Sequence, residues 1–221
     1  MKAIKTLAMT LLVIAPFFLS AQKISPEDLF KWDFYGQGTK LVESHNSFFM
    51  KEAKESNGVM IVSPESYSED AVFQYDIMTL TPATVCVAIL SASNPGKDTK
   101  LTIPKDYDGS MDLWINDVES YFYAFRNSPH NYTPFIRKYP VAEGEDPALV
   151  SLDKNIMLPG IFYTVEIGRK KDSLWLKIDG ELVLETLDQN AFSGGHIAIR
   201  LRGTAGEYAA CLIRDAELIH K

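Results

Sequence analysis

The stretch from Lys105 to Pro140 concentrates the side chains able to recognise a polar ligand. Two aromatic-rich segments, Glu119–Arg126 and Tyr132–Tyr139, flank a short turn, Asn127-Ser128-Pro129-His130. Trp114 precedes them, Tyr121, Tyr123, Arg126, Arg137 and Lys138 lie within them, and Asn127 and His130 lie in the turn. A core does not need that mixture, because each hydroxyl, imidazole or guanidinium buried without a partner costs free energy. Flat aromatic faces beside fork-shaped donors suit a sugar. Its C–H faces stack on rings, and its hydroxyls or uronate carboxylates accept charge-assisted hydrogen bonds. The same residues also fit a satisfied hairpin, with half-buried tyrosines, His130 capping the turn, and arginines paired to Asp117 or Glu119.

Strand alternation puts Arg126 and Arg137 on one face if the hairpin pairs in register, and two guanidiniums there call for acids or an anionic ligand. Parity leaves two choices. If Phe122 and Ala124 face the core, Tyr121 and Tyr123 line the open face; the reverse assignment exposes Arg126. A second candidate group, His196 and Arg200 with Trp175, lies on the outward face of later strands. Its structural alternative is an ion pair between Arg200 and Glu166 on neighbouring strands.

Two sugar-cleaving chemistries can be weighed. A lyase acting on a uronic acid needs Arg or Asn to neutralise the carboxylate and Tyr or His to move protons, and Arg126, Asn127, His130, Tyr121, Tyr123 and Arg137 could supply that set. A retaining glucanase needs two carboxylates about 5–5.5 Å apart, and no Glu-x-Asp-x-x-Glu lies on an alternating strand. There is no Gly-x-Ser-x-Gly, phosphate loop or dinucleotide fingerprint, so no cofactor is expected. No metal is expected either. Glu143, Glu145 and Asp146 read as a solvated loop rather than a calcium site, and Cys86 and Cys211 lack metal-ligand spacing. Both cysteines sit in apolar runs and read as buried free thiols.

The elements that must position these groups are strands. Ser25-Pro26-Glu27-Asp28 carries an N-cap signature for one short helical turn. Ser47–Ala53, Gly58–Val62 and Asp70–Met78 then alternate with period 2, and Ala83–Ala92 reads as a central strand covered on both faces. Leu101–Asn116 is irregular. In the last third, Leu174, Leu176 and Ile178 alternate with Trp175 and Lys177, Asp179-Gly180 marks a tight hairpin, and Ile197, Ile199 and Leu201 alternate with His196, Arg200 and Arg202. Some twelve short strands and no later helix predict an all-β, two-sheet β-sandwich of jelly-roll type.

Residues 1–21 read as a leader: Lys2 and Lys5, an apolar run over Ala8–Phe18, then Ser20-Ala21 before Gln22. Residues 22–221 are expected to form one domain, exported to the periplasm or the extracellular space, with no membrane contact after leader cleavage. Losing Lys2 and Lys5 takes the formal net charge from −7 to −9 (20 basic against 29 acidic residues). That balance argues against nucleic acid as a partner. A local patch such as Arg126, Arg137 and Lys138 still allows an anionic polysaccharide.

The order "YTVEIGRKKDSLWLKIDGELVLE … GGHIAIRLRG … CLIRDAEL" resembles the last strands of the concanavalin A-like lectin/glucanase superfamily. The block from Trp114 through "YFYAFRNSPHNYTPFIRKYP" resembles the YesU-like family, whose bacterial members occur with genes for pectin and rhamnogalacturonan use. The resemblance implies a concanavalin A-like fold and a sugar-related role without a catalytic set. The expectation is an exported protein that binds or processes carbohydrate, a plant-type glycan with acidic, pectic ones included, with an oligo- or polysaccharide as partner. A lyase using Arg, His and Tyr is one alternative; a structural or protein-interaction sandwich is the other.

Overall fold

The structure is a computed structural model and describes residues 20–43, 45–96, 99–130, 133–142, 144–204 and 206–220. Residues 1–19 of the expected leader lie outside these, as do Asn131, Tyr132, Glu143 and the side chain of His130. The first described strand, β1 (Ser20–Ile24), straddles the expected cleavage point and pairs with the last strand. Ser25 then caps α1 (Pro26–Lys31) as expected: its hydroxyl accepts from the Asp28 amide while the Asp28 carboxylate accepts from the Ser25 amide. That reciprocal box satisfies two of the amides a helix start leaves orphaned.

Strands follow: β2 (Asp33–Gly36), β3 (Gly38–Glu43), β4 (Ser47–Glu52), β5 (Val59–Tyr67), β6 (Ala71–Thr79) and β7 (Val85–Ser93). A long connection then carries α2 (Asp112–Asn116), a five-residue helix the sequence pattern had not indicated. After it come β8 (Glu119–Arg126), β9 (Phe135–Tyr139), β10 (Ala148–Ser151), β11 (Phe162–Lys170), β12 (Ser173–Ile178), β13 (Glu181–Leu187), β14 (Gly195–Arg202) and β15 (Ala210–His220). The described strands number fifteen against some twelve expected.

They form two antiparallel sheets. One runs β13-β12-β11-β6-β15-β4-β3 with β1 also on β15; the other runs β10-β9-β8-β7-β14-β5-β2. The two-sheet sandwich expected from the alternation is the observed fold. Between the sheets lies the main core, in which Phe73, Tyr75, Leu174, Leu176, Tyr121, Tyr123 and Ile199 are buried. Period 2 decides who enters it. On β6, Ala71, Phe73, Tyr75, Ile77 and Thr79 are buried and their neighbours only partly so. Cys86 and Cys211 are both buried free thiols, and burial pushes the Cys86 thiol up to about 12.

β7 behaves differently, being buried on both faces almost throughout. A second apolar cluster explains this. Met60, Val62, Val87, Ile89, Phe122 and Ala198 point away from the main core and pack under Trp114, Val118 and the partly buried Leu101, Ile103, Tyr107 and Met111. The outer face of the seven-stranded sheet is therefore roofed by the β7–β8 connection.

Candidate functional site

That roof decides which of the expected site residues can meet a ligand. Trp114 is fully buried on α2, its ring 5.8 Å from that of Phe122 and nearly edge-on to it. Its Nε1 donates to the Tyr107 hydroxyl at 2.9 Å, which in turn donates to the Ser110 carbonyl at 2.5 Å. Arg200 fastens the same segment. It points outward from β14 as expected, but it is 3% exposed and donates to the carbonyls of Gly109 (2.9 Å) and Asn57 (2.7 Å). Burial pulls its pKa down from the usual guanidinium value. Gly109 sits at φ +91°, and a Cβ there would collide with the Gly58 carbonyl, so the close approach needs glycine. Trp114 and Arg200 thus hold the cover down; the expectation that they face a ligand is corrected.

Tyr121 and Tyr123 are corrected as well. The β8–β9 ladder pairs Tyr121 with Lys138, Phe122 with Arg137 and Tyr123 with Ile136. Tyr121, Tyr123 and Phe125 enter the main core, fully buried, while Phe122 and Ala124 face the cover. The Tyr123 hydroxyl donates to the Gly168 carbonyl at 3.0 Å, and burial raises its pKa well above the ordinary phenol value. Tyr121 donates to Asp188 Oδ2 at 2.6 Å and accepts from the Phe192 amide. Burial, then the bond to Asp188, pushes the Tyr121 phenol up.

Arg126 lies beyond the last β8–β9 pair, Ala124 with Phe135, and next to a bulge where Cys86 faces Arg126 but Val87 faces Ala124. A bulge bends the strand and interrupts alternation, so the parity that would give Arg126 and Arg137 a common face does not reach Arg126. Its fully buried guanidinium donates instead to the carbonyls of Thr84 and, at 2.8 Å, Pro82. Arg126 is a clamp on the start of β7.

Lys138 points away from Arg137, toward the seam between the sheets. It pairs with Asp188 at 2.7 Å, donates to the Asn190 carbonyl at 2.7 Å and lies 4.5 Å from the Phe192 ring centroid. Burial opposes ionisation of Asp188, yet the hydrogen bonds from Lys138 and Tyr121 outweigh it and hold the carboxyl below the usual range. Asp188 was not foreseen. It sits in a loop whose partners come from β8 and β9, so no local pattern marks it.

The β9–β10 end of this face is only partly buried. There Arg137 and Asn127 do come together, in a depression of about 270 Å³ also lined by Thr133, Phe135, Asp146 and Ser151. The Arg137 guanidinium lies 4.2 Å over the Phe135 ring, a cation–π contact. Its Nη1 reaches the Tyr139 hydroxyl only at 3.4 Å, and its buried Nε finds no hydrogen-bond partner. Among the described residues no carboxylate forms an ion pair with it. Asp146, the acid in the depression, accepts from the Ala148 amide at 2.9 Å, and Glu119, one of the two acids expected to compensate the arginines, accepts from the Gly96 amide at 3.2 Å. Phe135 was not singled out, although its spacing of two from Arg137 already placed both on one strand face. His130 closes a 3-10 turn over Ser128–His130.

His196 is half-buried, with Nδ1 2.8 Å from the Ser63 carbonyl. The structure separates it from Trp175, which lies on the other sheet. Arg200 does not meet Glu166, which instead accepts from Trp175 Nε1 at 2.6 Å and pairs with Lys177 at 2.8 Å.

No protein-family model matches the chain, and no curated protein matches it in sequence. Solved structures do resemble it in fold. A protein of unknown function with a galectin-like fold from Bacillus subtilis superposes with a TM-score of 0.71 at 16% identity, covering 90% of this chain and 94% of its own. A kappa-carrageenase from Pseudoalteromonas carrageenovora, solved with an oligotetrasaccharide of kappa-carrageenan, gives 0.59 at 13% identity over 96% and 98%. The carbohydrate-binding module CBM66 from Bacillus subtilis gives 0.53 at 14% identity over 91% and 99%. At such identities the likeness is one of fold, the concanavalin A-like sandwich.

Proposed function

We propose that the protein binds carbohydrate, and that the Arg137 depression receives an acidic sugar of a plant-type glycan such as pectin. The observation that carries this reading is Arg137 itself: a cation stacked on an aromatic ring, in a polar depression, with no carboxylate among the described residues ion-paired to it. A guanidinium so placed can fork onto a uronate, a charge-assisted contact stronger than a neutral hydrogen bond. Asn127, Thr133 and Ser151 add donors and acceptors for hydroxyls around the same depression. The fold is shared with a carbohydrate-binding module and a carrageenase, and the resemblance to the YesU-like family points the same way. Export, read from residues 1–21, would bring the protein to such glycans.

Binding is favoured over a lyase reaction by the fate of the tyrosines. Tyr121 and Tyr123, the proton carriers a lyase would draw on, are buried with their hydroxyls engaged.

Calorimetric titration with oligogalacturonate tests the site. Arg137→Ala should weaken binding about tenfold or more, and Arg137→Lys should recover only part, because an ammonium keeps the charge but not the fork. An unchanged isotherm in Arg137→Ala would overturn the reading.

A further inference from the structure

Among the described residues, the outer face of the eight-stranded sheet has no second apolar cluster of the kind that covers the other, and one feature of it is built rather than merely left over. Trp175 on β12 pairs across the ladder with Gly168 on β11 and with Glu185 on β13. A Cβ on Gly168 would collide with the indole carbons Cε2 and Cζ2, so the ring lies flat across the glycine backbone. The indole edge is fixed too, by the 2.6 Å hydrogen bond from Nε1 to Glu166, which the Lys177 ammonium holds in place at 2.8 Å. One face of the ring therefore rests on the sheet, and its other side borders a depression of about 440 Å³.

The rim is basic. Lys170, Lys171 and Lys177 face Glu185 there, with Leu182 adding exposed apolar surface (55%) beside the ring. Lys177 is engaged by Glu166, but Lys170 and Lys171 form no ion pair among the described residues. In a chain of formal net charge −7, a concentration of lysines around a flat, fixed indole is a local inversion of the field. We propose that this surface is a second carbohydrate-binding site, on which a uronate-bearing sugar stacks against Trp175 while Lys170 and Lys171 meet its carboxylates. It stands on these contacts and not on the Arg137 site. Two sites on opposite faces would let one molecule bridge two glycan chains, with the gain in avidity that linked sites confer.

The tryptophan content makes the test direct. Of the three tryptophans, Trp32 and Trp114 are 4% and 0% exposed, leaving Trp175 as the half-buried one that a ligand can reach. Oligogalacturonate should change the intrinsic fluorescence of the wild-type protein and equally that of Arg137→Ala. In affinity gels containing polygalacturonate, Arg137→Ala should remain retarded, and adding Trp175→Ala should reduce that retardation about tenfold, the effect of one lost stacking contact. The pair Lys170→Gln and Lys171→Gln, on exposed side chains that the fold does not need, should reduce it too and flatten its dependence on salt. An unresponsive wild-type fluorescence, or a retardation indifferent to Trp175→Ala, would overturn the proposal. So would an equal fluorescence response to polyglutamate, which would make the lysines a docking patch for an acidic protein. If Trp175 responds and the Arg137→Ala isotherm is unchanged, the second site stands and the first falls.

Discussion

Trp114 and Trp175 sit on the outer faces of the two sheets, and they differ in what lies above them. Over the seven-stranded sheet, residues 99–118 form a second apolar layer, so Trp114 is sealed against Phe122 and its N–H is satisfied by Tyr107. Over the eight-stranded sheet, Trp175 lies on Gly168, its N–H held by a half-buried Glu166. The same residue type serves cohesion in one place and presents a surface in the other. The difference teaches that an outward strand position is not yet a surface position, because a long connection can return and cover it.

The largest effect expected from this contrast is on stability. Trp114→Ala should cost about 3–5 kcal/mol, the range for deleting a large ring from a packed site, read from the midpoint of denaturant unfolding. Trp175→Ala should cost far less, because only one side of its ring is packed. If the two cost the same, the cover is not the continuous second core described above.

The arginines repeat the contrast on a smaller scale. Arg126→Ala should cost about 3 kcal/mol, because the buried Thr84 carbonyl and the Pro82 carbonyl beside it lose a charged donor. Arg137→Ala should change stability by less than about 1 kcal/mol, as at most surface positions. Thermal unfolding of the two variants side by side checks this. A destabilised Arg137→Ala would mean that its stacking on Phe135 belongs to the fold.

Much of the fold was legible in the residues themselves. Leu174, Leu176 and Ile178 against Trp175 and Lys177 announce a strand with one face in the core, and both faces are where the alternation puts them. Asp179 and Gly180 both take positive φ (51° and 80°), as the tight hairpin they signal requires. Much of the site was not legible, for two physical reasons. Whether a face is covered depends on a segment distant in sequence, and the scattered apolar residues Leu101, Ile103, Tyr107, Met111, Leu113 and Ile115 read as irregular because the cluster they join is spread over β2, β5, β7, β8, β9 and β14. Parity also fails at a bulge, and one extra residue between β7 and β8 was enough to separate the fate of Arg126 from that of Arg137. Residue types alone could not distinguish a tyrosine with a free hydroxyl from Tyr121, whose partner Asp188 is 67 residues away.

The smallest effect probes how the cover is latched. Tyr107 receives Trp114 Nε1 and donates to Ser110, so Tyr107→Phe removes both hydrogen bonds while keeping the ring, and should cost about 1–2 kcal/mol near neutral pH. Burial pushes the Tyr107 phenol up to about 12, although Arg200 and the bond from Trp114 act against the shift. The unfolded chain ionises at about 10. A group whose pKa is raised by folding contributes stability that is complete below its unfolded value and lost as pH rises through its folded one. The stability supplied by Tyr107 should therefore be intact at neutral pH and decline over the window from about 10 to about 12. Wild type and Tyr107→Phe should converge in denaturant midpoint across that window, since the variant has no phenol left to ionise. Parallel curves instead of converging ones would mean that the Tyr107 hydroxyl reaches water in the native state, and that the cover over the seven-stranded sheet opens without unfolding.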